Sequence, residues 1–137
     1  MVVGGGEVGI ETGMYLAQAG RTVTVLEMGG MIAPEATKIH YYSMLEDAWR
    51  HTKGLTTEVN ATVFCIEPDG VVYRDKNGAE RKLPADTVVI SAGMTPKADE
   101  ALGFYGAADN FYMLGDCWKP GTLQTMNRSA YYTANVI

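Results

Sequence analysis

Gly4, Gly6 and Gly9 follow the apolar pair Val2-Val3 in a G-x-G-x-x-G spacing, and Glu27 closes the run Thr22-Val23-Thr24-Val25-Leu26. Strand, glycine turn, helix, strand and acid is the order in which a βαβ unit grips a dinucleotide. Gly4 permits the tight turn, and Gly6 lets backbone N–H groups approach a pyrophosphate. Gly9, with Gly13 one helical turn on, lets the helix settle against the first strand. The phosphates are expected over Gly4, Gly5, Gly6, Glu7, Val8 and Gly9, where a helix N-terminus offers free N–H groups and the positive end of its dipole. The competing reading is a glycine-rich turn that serves only the fold.

Glu27 lies at the position where an acid accepts hydrogen bonds from the adenine ribose hydroxyls. A carboxylate there repels a 2′-phosphate, and Met28-Gly29-Gly30-Met31 brings no Lys or Arg to neutralise one. NAD(H) is therefore expected over NADP(H), with Glu27 and Met28 as contacts. His40 and Arg50 on the following helix could approach the same place, and Glu27 could equally be a solvated strand-end acid.

The chain has 137 residues, 47% hydrophobic and 20% charged, with a formal charge of −5. That is the profile of an ordinary globular domain, and the charge balance argues against a nucleic-acid surface. No signal-peptide pattern or apolar stretch of membrane-spanning length is present, which makes the cytoplasm the expected compartment and no membrane partner expected. Cys65 and Cys117 form no C-x-x-C, so neither a dithiol of the usual spacing nor a cysteine metal cluster is expected. His40 and His51 fall about three helical turns apart, too far to share one ion. Only Met1-Val2-Val3 precede the glycine turn, fewer residues than a central strand usually has. The chain therefore reads as a fragment or excised domain of a larger enzyme.

The elements that would position these residues follow from pattern. A helix is expected over 7–19, with Val8, Thr12, Tyr15 and Ala19 on one face, ended by Gly20. Residues 22–27 read as the second parallel strand. A helix from Glu35 to His51 would pack Ile39, Tyr42, Leu45 and Trp49 on the sheet, with Tyr41, Met44 and Ala48 widening that stripe. Leu55–Val59 is a short strand. The period then changes to two over 61–67, 71–75 and 79–83, separated by Pro68-Asp69-Gly70 and Lys76-Asn77-Gly78. The fold class is therefore α/β, a Rossmann-like parallel sheet with an inserted three-stranded antiparallel β-meander. Residues 86–91 read as a buried strand ending in Ala92-Gly93, 94–110 as a connection, 110–114 as a strand ending in Gly115-Asp116, and 122–137 as a helix.

V-V-G-G-G-E-V-G-I-E-T-G, T-V-T-V-L-E, the meander, D-T-V-V-I-S-A-G-M-T-P-K and F-Y-M-L-G-D-C together resemble the flavoprotein reductases with two dinucleotide-binding domains. The segment G-D-C-W-K-P-G-T-L, with Ser129-Ala130-Tyr131-Tyr132 after it, is most similar to the multidomain NADH:flavin oxidoreductases of the 2,4-dienoyl-CoA reductase and enoate reductase type. The resemblance implies an NAD(H)-binding domain over 1–97 and part of an FAD-binding domain over 98–137. It implies that Gly115-Asp116 meets FAD through the Asp116 carboxylate, and that the next helix points its N-terminus at the FAD pyrophosphate. Ala92-Gly93 would pass close to the nicotinamide nucleotide, and Glu11 matches a glutamate near the nicotinamide ring, a solvated helix position being the alternative. The glycine motif for the other half of FAD, a substrate barrel and iron–sulphur cysteines are not in this sequence. The implied partners are accordingly the missing FAD-domain half and substrate domain.

The reading reached is an NAD(H)-binding piece of an FAD-dependent oxidoreductase that passes hydride from NADH to flavin, inactive alone and with no catalytic residue of its own. Two others remain: a regulatory NAD(H)-sensing module without catalysis, which leaves the meander and Gly115-Asp116 without a purpose, and a cofactor-free remnant.

Overall fold

The computed structural model describes residues 1–137, which divide into two compact units, Met1–Gly93 and Met94–Ile137. The first unit is built on a parallel sheet of order β3-β2-β1-β7, where β1 is Val2–Val3, β2 Val23–Glu27, β3 Leu55–Val59 and β7 Val89–Ile90. Val2 lies opposite Val25 on one side and Val89 on the other. Alternation along β1 and β2 sends Val2, Val23 and Val25 to one face and Val3 and Leu26 to the other. Helices α1 (Glu7–Gln18) and α2 (Tyr41–His51) cover the first face, burying Ile10, Ala17, Leu45 and Trp49.

The second face is covered by the meander, β4 (Thr62–Glu67), β5 (Gly70–Arg74) and β6 (Glu80–Pro84), within one residue of the spans expected. Val71 and Tyr73 of its middle strand pack with Leu26 and Ala61. The Lys76-Asn77-Gly78 turn is tied down by Asp75, whose Oδ1 accepts the N–H groups of Asn77 (2.8 Å) and Ala79 (3.1 Å). No helix is long and apolar enough to cross a membrane.

Several expectations are corrected. Val8 and Tyr15, on the face expected along α1, point outward, and the buried face carries Gly9, Ile10, Gly13 and Ala17. The helix is pressed to the sheet by its smallest residues, which leave no mark in a pattern of large apolar side chains. Gly13 lies over Val25 and Leu55 rather than the first strand: a Cβ there would stand 2.9 Å from Val25 Cγ2 and 3.2 Å from Leu55 Cδ1. Helix α2 begins at Tyr41, not Glu35, because Ala33 takes a left-handed φ of 47° and the chain then runs through turns at 34–35 and 38–40. Ile39 therefore lies outside the helix and is exposed; Met44 and Ala48 are exposed too. The buried six-residue strand expected at 86–91 reduces to Val89–Ile90, since β7 is a sheet edge with one neighbour, and Ile90 is exposed.

In the second unit, α3 (Ala98–Leu102) forms in what the pattern gave as plain connection. Residues 110–114 make no strand, there being no strand within this unit to pair with, and Gly115–Cys117 is a single 3-10 turn. Helix α4 (Leu123–Ala134) is capped by Thr122, whose hydroxyl accepts the Thr125 N–H at 3.3 Å. Helical spacing would put Leu123, Met126, Ala130 and Ala134 on one side; of these only Met126 is half-buried, together with Ser129 and Thr133, and the other three are exposed.

Candidate functional site

The C-terminal edge of the parallel sheet gathers the glycine turn, the β2 acid and the end of β7. Gly4 continues the pairing of β1, its N–H donating to the Leu26 carbonyl at 2.8 Å, and then turns the chain with a φ of 100°. A Cβ on Gly4 would run into the Ser91 carbonyl, and a Cβ on Gly9 into the carbonyl of Gly4. Both obstacles are backbone and have little freedom to yield. These glycines therefore fix how closely α1 approaches the turn and the end of β7, and Ala92-Gly93 follows directly from that contact.

Glu27 is held as a fixed acceptor. Its Oε2 takes the Gly5 N–H at 2.7 Å, and its Oε1 takes the Gly29 N–H at 2.6 Å. A carboxylate oxygen has a second lone pair, so each can still accept from a ligand hydroxyl. The side chain is part-buried, with exposed Met28 beside it. Gly5 admits this closeness, since a Cβ there would meet Glu27 Cβ at 2.8 Å and Ile32 Cδ1 at 2.7 Å. The neighbouring cations are engaged elsewhere: Arg50 pairs with Glu46 at 2.7 Å, and Lys38 lies over the Tyr42 ring.

The loop after β2 folds back on the turn. Ala33 donates its N–H to the Gly5 carbonyl at 2.7 Å, and Ile32, Ala33 and Ala36 are buried. This brings two residues that sequence reasoning missed. Glu35 Oε1 accepts the Glu7 N–H at 2.5 Å, at the first turn of α1, and the Tyr41 hydroxyl donates to Glu11. That bond, then burial, then the charges of Glu11 and Glu7 push the Tyr41 hydroxyl up to about 12. Burial first, then Glu35 and Glu11, hold the Glu7 carboxyl above its ordinary value. The only signal for Glu35 in the sequence was its acid character ahead of a helix, which suggested a first-turn role in α2.

Gly4, Gly5, Gly6, Glu7, Val8, Gly9, Glu27 and Met28 thus come together around one turn. Glu11 lies one helical turn along α1, and Ala92-Gly93 lies beyond the Ser91 contact. Gly115-Asp116 belongs to the second unit, where Asp116 is exposed and Oδ1 takes the Gly121 N–H at 3.4 Å. Cys117 is half-buried, its Sγ 3.0 Å from the Leu114 carbonyl. The donor chemistry of the turn fits an anionic group: the Glu7 N–H at the start of α1 donates to a carboxylate oxygen, Glu35 Oε1, and Gly6 beside it carries no Cβ to crowd that oxygen.

Residues 1–130 match the pyridine nucleotide-disulphide oxidoreductase family, and the chain belongs to that family. It is 28% identical to a metal reductase of Desulforamulus reducens, over 98% of this chain and 24% of that protein. It is 36% identical to an NADH oxidase of Thermoanaerobacter brockii, over 73% of this chain and 15% of that protein. A solved 2-naphthoyl-CoA reductase superposes with a TM-score of 0.72 at 31% identity, covering 89% of this chain and 18% of that one. The chain thus spans about a quarter or less of the length of these relatives. The cofactors of the family are FAD and NAD(P)H.

Proposed function

We propose that residues 1–97 bind NAD(H) and that residues 98–137 contribute to an FAD-binding domain, within a larger reductase that passes hydride from NADH to flavin. The observation that carries this reading is the Glu27 carboxylate, fixed between the Gly5 and Gly29 N–H groups at the mouth of the glycine turn. From there it accepts from the adenine ribose hydroxyls, while the N–H groups of α1's first turn take the pyrophosphate. A 2′-phosphate would face Glu27, with Arg50 already paired to Glu46. Ala92-Gly93, and Glu11 as held by Tyr41, flank the course toward the nicotinamide, and Gly115-Asp116 supplies the flavin contact. The bound nicotinamide supplies the hydride. The residues of this chain bind and orient it, and no side chain acts as acid or base.

Within the family we place the chain with the NADH:flavin oxidoreductases of the dienoyl-CoA and enoate reductase type. The G-D-C-W-K-P-G-T-L segment supports this, as does the 31% identity to the 2-naphthoyl-CoA reductase. Substrate chemistry would then belong to domains outside this chain.

Calorimetric titration of the chain with NADH and NADPH tests the reading. NADH is expected to bind and NADPH to bind at least ~10-fold more weakly. Glu27→Gln should raise the NADH Kd by ~10- to 100-fold, the loss of a hydrogen bond to a charged acceptor. Failure of NADH to bind, or a preference for NADPH, would overturn the assignment.

A further inference from the structure

Resting on the dinucleotide reading above, we infer that Glu35 is an internal anion that occupies the pyrophosphate position at the N-terminus of α1 and must swing out before the dinucleotide can enter. The atoms nearest the space that Gly6 leaves open all belong to Glu35. A Cβ at Gly6 would stand 2.7 Å from Glu35 Oε1, 3.6 Å from its Cδ and 3.9 Å from Oε2, with no other atom among its nearest neighbours. At Gly4 and Gly9 the nearest atom is a backbone carbonyl, whereas at Gly6 it is the far end of a flexible side chain. The same Oε1 takes the Glu7 N–H, a donor with no intrahelical acceptor at this point in a helix.

The carboxylate stands in for one phosphate oxygen, and both cannot be there at once. Coexistence would place a pyrophosphate beside two carboxylates, Glu7 and Glu35; burial first, and then the like charges of Glu35 and Glu11, already hold the Glu7 carboxyl above its ordinary value. Departure is local. The loop is held by the Ala33 N–H on the Gly5 carbonyl and by buried Ala36, while the Glu35 residue itself is exposed. Rotation about its side-chain bonds frees the Glu7 N–H without disturbing the loop. The apparent affinity for dinucleotide is then the intrinsic affinity scaled by the fraction of molecules in which Glu35 has swung out.

The test compares the chain with Glu35→Ala, and with Glu100→Gln as a variant that removes the same charge from an exposed site in the second unit. NADH and inorganic pyrophosphate are titrated into each by calorimetry, and the Glu7 amide resonance is followed without any ligand. Glu35→Ala is expected to tighten NADH by ~10-fold, the scale of a mostly closed two-state equilibrium. It should also shift the Glu7 amide in the free protein, while Glu100→Gln does neither. Equal NADH affinities in the chain and Glu35→Ala, or an unmoved Glu7 amide, would overturn the inference alone. Silence of every variant toward both NADH and pyrophosphate would overturn the dinucleotide reading and this inference with it.

Discussion

The chain's two tryptophans divide between its two units, and their surroundings differ as the units do. Trp49 is 6% exposed, packed with Leu45, set edge-to-face on Tyr42 at 5.9 Å and part of the cluster under α1 and α2. Trp118 is 59% exposed, in a unit that buries no hydrophobic residue and shows Phe104, Tyr105, Tyr131 and Tyr132 to solvent. The first unit closes a core on each face of its sheet. The second has helices, one of them capped by Thr122, but no layer to pack them on. Secondary structure here tracks local signals such as the Thr122 cap, whereas burial tracks the presence of a second layer.

The sharpest way to break this comparison is to remove each tryptophan. Trp49→Ala should destabilise the first unit by ~3–5 kcal/mol, as large-to-small core changes do, and Trp118→Ala should stay within ~0.5 kcal/mol. Denaturant unfolding followed by far-UV circular dichroism reads both, and a comparable loss in the two variants would mean that Trp118 carries a core of its own.

A smaller effect separates glycines. Gly9→Ala forces a Cβ onto the Gly4 carbonyl and should cost ~1–3 kcal/mol, with NADH binding lost in step. Gly106→Ala meets nothing within 4 Å and bears only its left-handed φ of 86°. It should cost ~1 kcal/mol locally and leave the unfolding of the first unit, read by Trp49 fluorescence in a Trp118→Phe background, where it was.

The smallest effect depends on pH. The Glu7 carboxyl titrates above its ordinary 4.5 in the fold, so folding favours the protonated form. The folded state binds more protons between the two values, and stability falls as pH rises through that window. Glu7→Gln should therefore match the parent at acidic pH and become the more stable of the two as pH rises past the carboxylate range. Thermal melts across that range check it, and a gain confined to low pH would reverse the sign.

What the sequence made legible is what the backbone dictates locally. Gly4 and Gly20 stand at positive φ where a turn and a helix end require it, and the Asn77-Gly78 turn and the flanking meander strands follow from two-residue spacing. Glu27 was legible because strand context fixed its position. Features set by tertiary contact were not. The buried face of α1 is written in glycine and alanine, which an apolar stripe does not register. The late start of α2 goes with the left-handed turn at Ala33, whose N–H bonds to the Gly5 carbonyl, between residues whose types give no hint of it. Residues 110–114 carry a strand's composition, but a strand exists only when another lies beside it. Glu35 was read as belonging to its own helix and instead serves another.

The pairing of β1 with β7 bears on the order in which the protein is made. β1 and β2 can meet soon after the first βαβ segment emerges, but the other side of β1 waits for Val89 and Ile90, and the Val3 carbonyl waits for the Ser91 N–H. Gly4 and Gly9 are shaped to fit against that same late segment. Parallel pairing between distant segments is slow, because loop closure must precede any contact gain. The glycine turn therefore cannot take its final form during synthesis until residues 89–91 are available to pair with it. A nucleotide that binds it would favour the fully assembled unit over any shorter nascent form.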